Sequence, residues 1–255
     1  SLILSFGFYS IAIVLAIFTW GHILNVLGKP ISWQEHFYNY CISNLSRRLP
    51  APMAHIGTRL ILYDHEAAIM SAVSSGSILE MTLMGLSGLF VSVMTGTLKE
   101  NHLLVRITTL VIIGSLLLLC CLLAFYWAKR RQISLNGKNL SIWHLAGWFL
   151  AYGSLWCIGG ASFYFIVRAL WDISKADIGT IINAWTVSGL VALIAAVMPV
   201  GLGLRELTLG LLLTDILPQG AAIIIAVISR LVFMLYELLW VLLSHLLIKN
   251  PRILH

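Results

Sequence analysis

Apolar positions along this chain do not alternate with polar ones; they run on. Six stretches, 2–27, 67–95, 103–127, 141–169, 180–197 and 220–247, are almost continuous Leu, Ile, Val, Ala, Phe and Trp. Each approaches or exceeds the roughly 20 residues that a helix needs to cross a bilayer. Barrel strands would alternate inside and outside positions, which these runs do not. Polar residues gather where the runs stop: Lys29-Pro30, Lys129-Arg130-Arg131, and Lys249 with Pro251 and Arg252. The pattern predicts an all-α, polytopic transmembrane bundle of about six spans, forming one integral membrane domain over residues 1–255.

Two stretches break the pattern. In 33–66, Ser32 with Glu35 three residues on is a helix-capping pair. Mixed aromatic and polar turns follow, then Leu49-Pro50-Ala51-Pro52, Gly57-Thr58-Arg59 and Asp64-His65-Glu66. The second is Met198-Pro199-Val200-Gly201-Leu202-Gly203-Leu204-Arg205-Glu206, leading into the short apolar piece 207–213. Unwound backbone survives at membrane depth only where protein or a water-lined cavity satisfies it. Both stretches therefore read as re-entrant segments broken at Pro50 and Pro199. For the first, an interfacial helix lying flat is the competing reading.

The two breaks resemble each other. Each runs Pro, Gly, Arg, then an apolar span with one buried ionisable group, Glu80 in one and Arg230 in the other. Residues 1–127 and 141–250 thus read as weak pseudo-repeats. Paired broken segments of this kind point to the binding site of a transporter. The distribution of Lys and Arg between loops places both breaks on the cytoplasmic face. Two small-residue ladders, Ala67-Ser71-Ser75 and Ala184-Ser188-Ala192-Ala196, mark faces where helices approach closely. Trp20 and His22 suit the membrane interface.

Three ionisable groups, Glu80, Arg230 and Glu237, fall well inside spans. Each costs about 2.5–3.5 kcal/mol at a helix centre unless compensated. Arg230 and Glu237 share a helix face but lie about 10 Å apart, so a third group must serve them. Arg230 is expected near Glu206 or Glu80, with Glu80, Glu206, Arg230 and Glu237 lining a polar track. Arg59 and Arg205 suit an anionic head group, because a guanidinium binds phosphate through a planar fork. Gly201 and Gly203 allow close backbone approach, and a helix N-terminus offers N–H groups to an anion.

Composition narrows the chemistry. The chain is 60% hydrophobic and 10% charged, against about 25% charged in soluble domains. The net charge of +6 fits positive-inside topology and anionic lipid rather than nucleic acid. Cys41, Cys120, Cys121 and Cys157 show no C-x-x-C spacing, so neither a metal nor a cofactor is expected. No hydrolase, zinc or nucleotide motif is present, and a non-enzyme is expected. The chain enters an apolar run directly at Ser1, as if a natural N-terminal span preceded it.

The core Pro199-x-Gly201-x-Gly203-x-Arg205-Glu206, with Arg230 about 25 residues later, resembles the lysylphosphatidylglycerol synthase transmembrane-region family. Trp20, Ser43-x-x-x-x-x-Leu49-Pro50, Arg59 and Glu80 follow in the expected order, so the likeness spans almost the whole chain. One departure is Val200, where a second glycine is common. The resemblance implies a lipid-translocating module without a synthase domain, in a bacterial or archaeal cytoplasmic membrane. It implies membrane lipids as partners, either an anionic phospholipid or a lipid-linked saccharide. A membrane-protein partner or a second copy is compatible with that role. Two other classes remain open at this point. One is a membrane glycosyltransferase or lipid-modifying enzyme using Asp64, Glu66, Asp172 or Asp177. The other is a non-transporting scaffold subunit.

Overall fold

The structure, a computed structural model, describes residues 1–28, 31–47, 53–63, 67–96, 141–195 and 203–247. Among them there are eight α-helices and no strand. They are α1 (Leu2–Leu27), α2 (Trp33–Ser46), α3 (Ala54–Leu62), α4 (Ala67–Thr95), α5 (Ile142–Leu170), α6 (Ile178–Ala195), α7 (Leu204–Leu213) and α8 (Gln219–Leu247). A 3-10 turn, Lys175–Asp177, leads into α6. Five helices are long and apolar enough to cross a membrane: α1, α4, α5, α6 with its leading turn, and α8. The chain is an all-α helical bundle of the multi-pass membrane type. The expected span 103–127, and Pro50, Pro199 and Gly201, lie outside the described residues.

The short helices fall where the sequence breaks. Ser32 caps α2 by accepting from the Glu35 N–H at 3.3 Å. Helix α3, of nine residues, and α7, of ten, are about 14–15 Å long, half the thickness of a bilayer core. Each starts from a left-handed residue, Met53 at φ 51° and Gly203 at φ 91°.

Polar pairs fix the long helices. Helices α1 and α5 run antiparallel. Ser5 Oγ and Ser162 Oγ lie 3.0 Å apart at one end, and Trp148 Nε1 donates to His22 Nδ1 at 2.8 Å at the other. Apolar side chains form two clusters along α5. One joins Leu145, Trp148 and Tyr152 of α5 to the second half of α1, the first half of α4, Tyr40, Cys41 and Tyr63. The other joins Phe163, Ile166 and Val167 of α5 to α6, α7 and the first half of α8. The outward face of α8 stays apolar, with Leu231, Leu235, Leu238, Leu242 and Leu246 exposed, as lipid requires.

This arrangement corrects two expectations. The broken segments, expected on one face, join different clusters: Tyr40, Cys41 and Tyr63 from the α2–α3 region lie with Leu145 to Tyr152 of α5, and Leu209 and Leu213 of α7 with Phe163 to Val167. The α4 contact with α1 uses Ala72 and Gly76, one residue off the expected Ser71-Ser75 line. An added Cβ on Gly76 would lie 3.3 Å from Ile23, and one on Gly28 would lie 2.8 Å from Ala72. On α6, Ala184 at 2% and Ser188 at 0% exposure are buried, Ala192 is half-buried, and Ala196 lies outside the described residues.

Glycines also make a slot between α4, α5 and α6. Trp156 of α5 donates from Nε1 to Met84 O at 2.9 Å. A Cβ on Gly88 would stand 2.9 Å from that nitrogen, and one on Gly189 2.6 Å from the indole Cη2. Gly189→Ala is therefore expected to destabilise the fold by about 1–3 kcal/mol through overpacking. The check is unfolding in detergent. In a Trp156→Leu background the loss shrinks, because the two sites share one space; equal losses in both backgrounds would refute the slot.

Candidate functional site

Of the ionisable groups expected to form one track, Glu80 falls in one cluster and Glu206 with Arg230 in another, each near the middle of the long helix it joins. In the first cluster, Arg59 is fully enclosed, at 0% exposure, and Glu80 of α4 is at 1%. Arg59 Nη1 donates to Glu80 Oε2, Nη2 donates to Oε1 at 3.4 Å, and Nε donates to Ser43 Oγ at 3.3 Å. The guanidinium lies 3.9 Å over the Trp20 ring and 5.0 Å from the centre of Tyr40. Arg47 adds a second cation to Glu80 at 3.4 Å. Burial alone would lower the Arg59 pKa, but Glu80 outweighs it and raises it. Trp20, expected at the interface, is completely buried, and its Nε1 donates to Tyr63 Oη at 3.2 Å.

Two histidines close this cluster. His36 Nδ1 lies 3.1 Å from Tyr63 Oη, and His55 is 6% exposed. Burial lowers the pKa of His36 to about 4. Burial, with Arg47 and Arg59 nearby, lowers that of His55 to about 3. Both are neutral in the fold, whereas an unfolded chain binds protons at about 6.5. Below that pH the unfolded state holds more protons, so folding weakens as pH falls from about 6.5 toward 4. Melting temperature in detergent is expected to drop between pH 7.5 and pH 5, and to drop less in a His36→Gln, His55→Gln variant. Equal slopes for the two proteins would refute the assignment.

In the second cluster, α7 folds back along α6 and places its first turn against the middle of that helix. The Arg205 guanidinium lies 4.2 Å over Trp185 of α6. Arg230 of α8 donates from Nη1 to Glu206 Oε1 at 2.9 Å, so it meets one of the two partners expected for it. Their side chains are 28% and 15% exposed. Glu206 Oε2 is buried and has no hydrogen-bond partner among the described residues. Trp185, Arg205, Glu206, Ser229, Arg230 and Phe233 line a hollow between the three helices. It admits the centre of a water molecule over about 10 Å³, which is room for roughly one water.

Trp185 is wedged in place. It stacks on Phe163 at 5.4 Å and tilts against Phe233 at 4.7 Å. A Cβ on Gly159 would sit 2.9 Å from its Nε1. The hollow holds two guanidiniums and one carboxylate, beside a helix N-terminus whose partial charge is positive. Glu237 is buried two turns further along α8 and is not among the residues lining the hollow.

The two clusters share a plan. In each, an arginine on a short helix lies over a tryptophan of an earlier long helix. In each, an ion pair joins the short helix to the next long one, with the signs exchanged: Arg59 to Glu80, Glu206 to Arg230. The sequence marked Arg59, Arg205, Arg230, the acids and, through the family resemblance, Ser43, but gave no role to Trp185 or Arg47. Of the enzyme candidates, Asp177 accepts from the Ser174 N–H at 3.1 Å as a cap, Asp172 is exposed, and Asp64 and Glu66 lie outside the described residues. Among the described residues no group of three or more His, Cys, Asp or Glu is placed to hold a metal. The chain matches no family model, no curated protein and no solved structure.

Proposed function

We propose that the chain moves lipids across a membrane and takes the head-group phosphate in the hollow between α6, α7 and α8. The observation that carries the reading is the meeting of Arg205 and Arg230 at the start of a broken helix, half-way along α6. Guanidiniums beside a helix N-terminus suit a phosphate. The acyl chains have a path outside: Leu204, Leu207 and Leu211 of α7 and Ile223, Val227 and Leu231 of α8 are exposed beside the site. The resemblance of Gly-x-Gly-x-Arg-Glu to the lysylphosphatidylglycerol synthase transmembrane region supports the same reading. Arg59, expected to share this role, is turned inward to Glu80 and serves as a structural cation.

The test is reconstitution into liposomes carrying a trace of head-group-labelled phosphatidylglycerol. Quenching from outside then counts the label that crosses. Faster loss of the inner pool than in protein-free vesicles supports lipid movement; identical rates would end the proposal.

A further inference from the structure

Glu206 occupies the place an incoming phosphate needs. A carboxylate and a phosphate offer a guanidinium similar pairs of acceptor oxygens. The Glu206–Arg230 pair is a half-made contact. One oxygen is engaged at 2.9 Å, and the other is buried without a partner among the described residues. The Arg59–Glu80 pair of the other cluster is two-pronged and wholly enclosed. Arg230, by contrast, is more than a quarter exposed and Glu206 about a seventh, so an exchange of partners requires no unfolding. The hollow has room for about one water, too little for a phosphate group while Glu206 fills it.

We infer that Glu206 is a stand-in ligand, holding Arg230 while the site is empty and surrendering it to a phosphate-type oxyanion on binding. This rests on the head-group reading of the same site. Glu206 is not stranded by the exchange, because it lies in the first turn of α7, where the helix end favours negative charge. Competition of this kind lowers apparent affinity by the fraction of time Arg230 is free. If Arg230 is held about nine-tenths of the time, removing the carboxylate tightens binding about tenfold.

The experiment compares wild type, Glu206→Gln and Glu206→Ala as full chains. Inorganic phosphate is titrated by calorimetry in neutral detergent. Phosphatidylglycerol retention is read by native mass spectrometry from phosphatidylcholine nanodiscs. The expected result is about tenfold tighter binding in both variants, abolished when Arg230→Ala is added. Wild-type binding with equal or weaker binding in the variants overturns the stand-in role and leaves the head-group reading in place. A gain for inorganic phosphate alone supports the stand-in role but makes the ligand a free anion, against that reading. No binding of either probe by any of the proteins overturns both.

Discussion

Replacing Glu80 with alanine is expected to destabilise the protein by about 3–5 kcal/mol, because it leaves Arg59 charged and enclosed. Arg59 is at 0% exposure and cannot shed its proton, since guanidinium stays charged above pH 12. Trp20 and Tyr40 would still face it, which offsets about 0.5–2 kcal/mol. Arg47 would lose its own partner at the same time, so the second cation adds to the loss. Glu80→Gln keeps acceptor oxygen and volume and is expected to fall between. A double variant, Arg59→Met with Glu80→Leu, is expected to recover most of the stability, because apolar pairs of similar volume replace buried ion pairs at little cost. Unfolding in a detergent titration reads all three. If Glu80→Ala unfolds together with wild type, Arg59 is not held as described.

Much of the fold was legible because a bilayer leaves few choices: helices of about 20 apolar residues, and breaks only where protein covers them. The pairing of Arg230 was legible for a related reason. A charge in an apolar span must meet its opposite, and few acids are available. What failed was the side assigned to the breaks. Arg59 and Arg205 entered the positive-inside comparison as loop charges, yet each lies against an indole inside the bundle, where the rule does not apply. The α4 contact was misplaced by one residue, since Ser71, Ala72, Ser75 and Gly76 are all small and composition cannot choose between neighbouring faces. Trp185 left no trace in spacing at all. Its role depends on α7 folding back along α6, and a contact between non-adjacent turns has no periodic signature.

The two clusters should therefore answer differently to the loss of an arginine. Arg205→Ala or Arg230→Ala is expected to slow lipid movement in liposomes about 10–100-fold, with only a small change in melting temperature. A charge-assisted hydrogen bond of about 1.5–3 kcal/mol sets that factor. Arg230 is partly exposed and so is Glu206, so water reaches the partner left behind and the stability cost stays modest. Lysine at either position keeps the charge but loses the planar fork, and is expected to retain an intermediate rate. Trp185→Leu removes the surface on which Arg205 lies and is expected to slow lipid movement as Arg205→Ala does, with a larger fall in melting temperature because it also empties space beside Phe163 and Phe233. Arg59→Ala strands Glu80 at 1% exposure with, among the described residues, the 3.4 Å contact to Arg47 as its remaining ion pair, so it is expected to fail in folding before transport can be measured. Equal transport by Arg205→Ala, Arg230→Ala and wild type, at matched protein per vesicle, would remove the hollow from the path. A stable Arg59→Ala protein that no longer moves lipid would shift the head-group contact to the Arg59–Glu80 cluster.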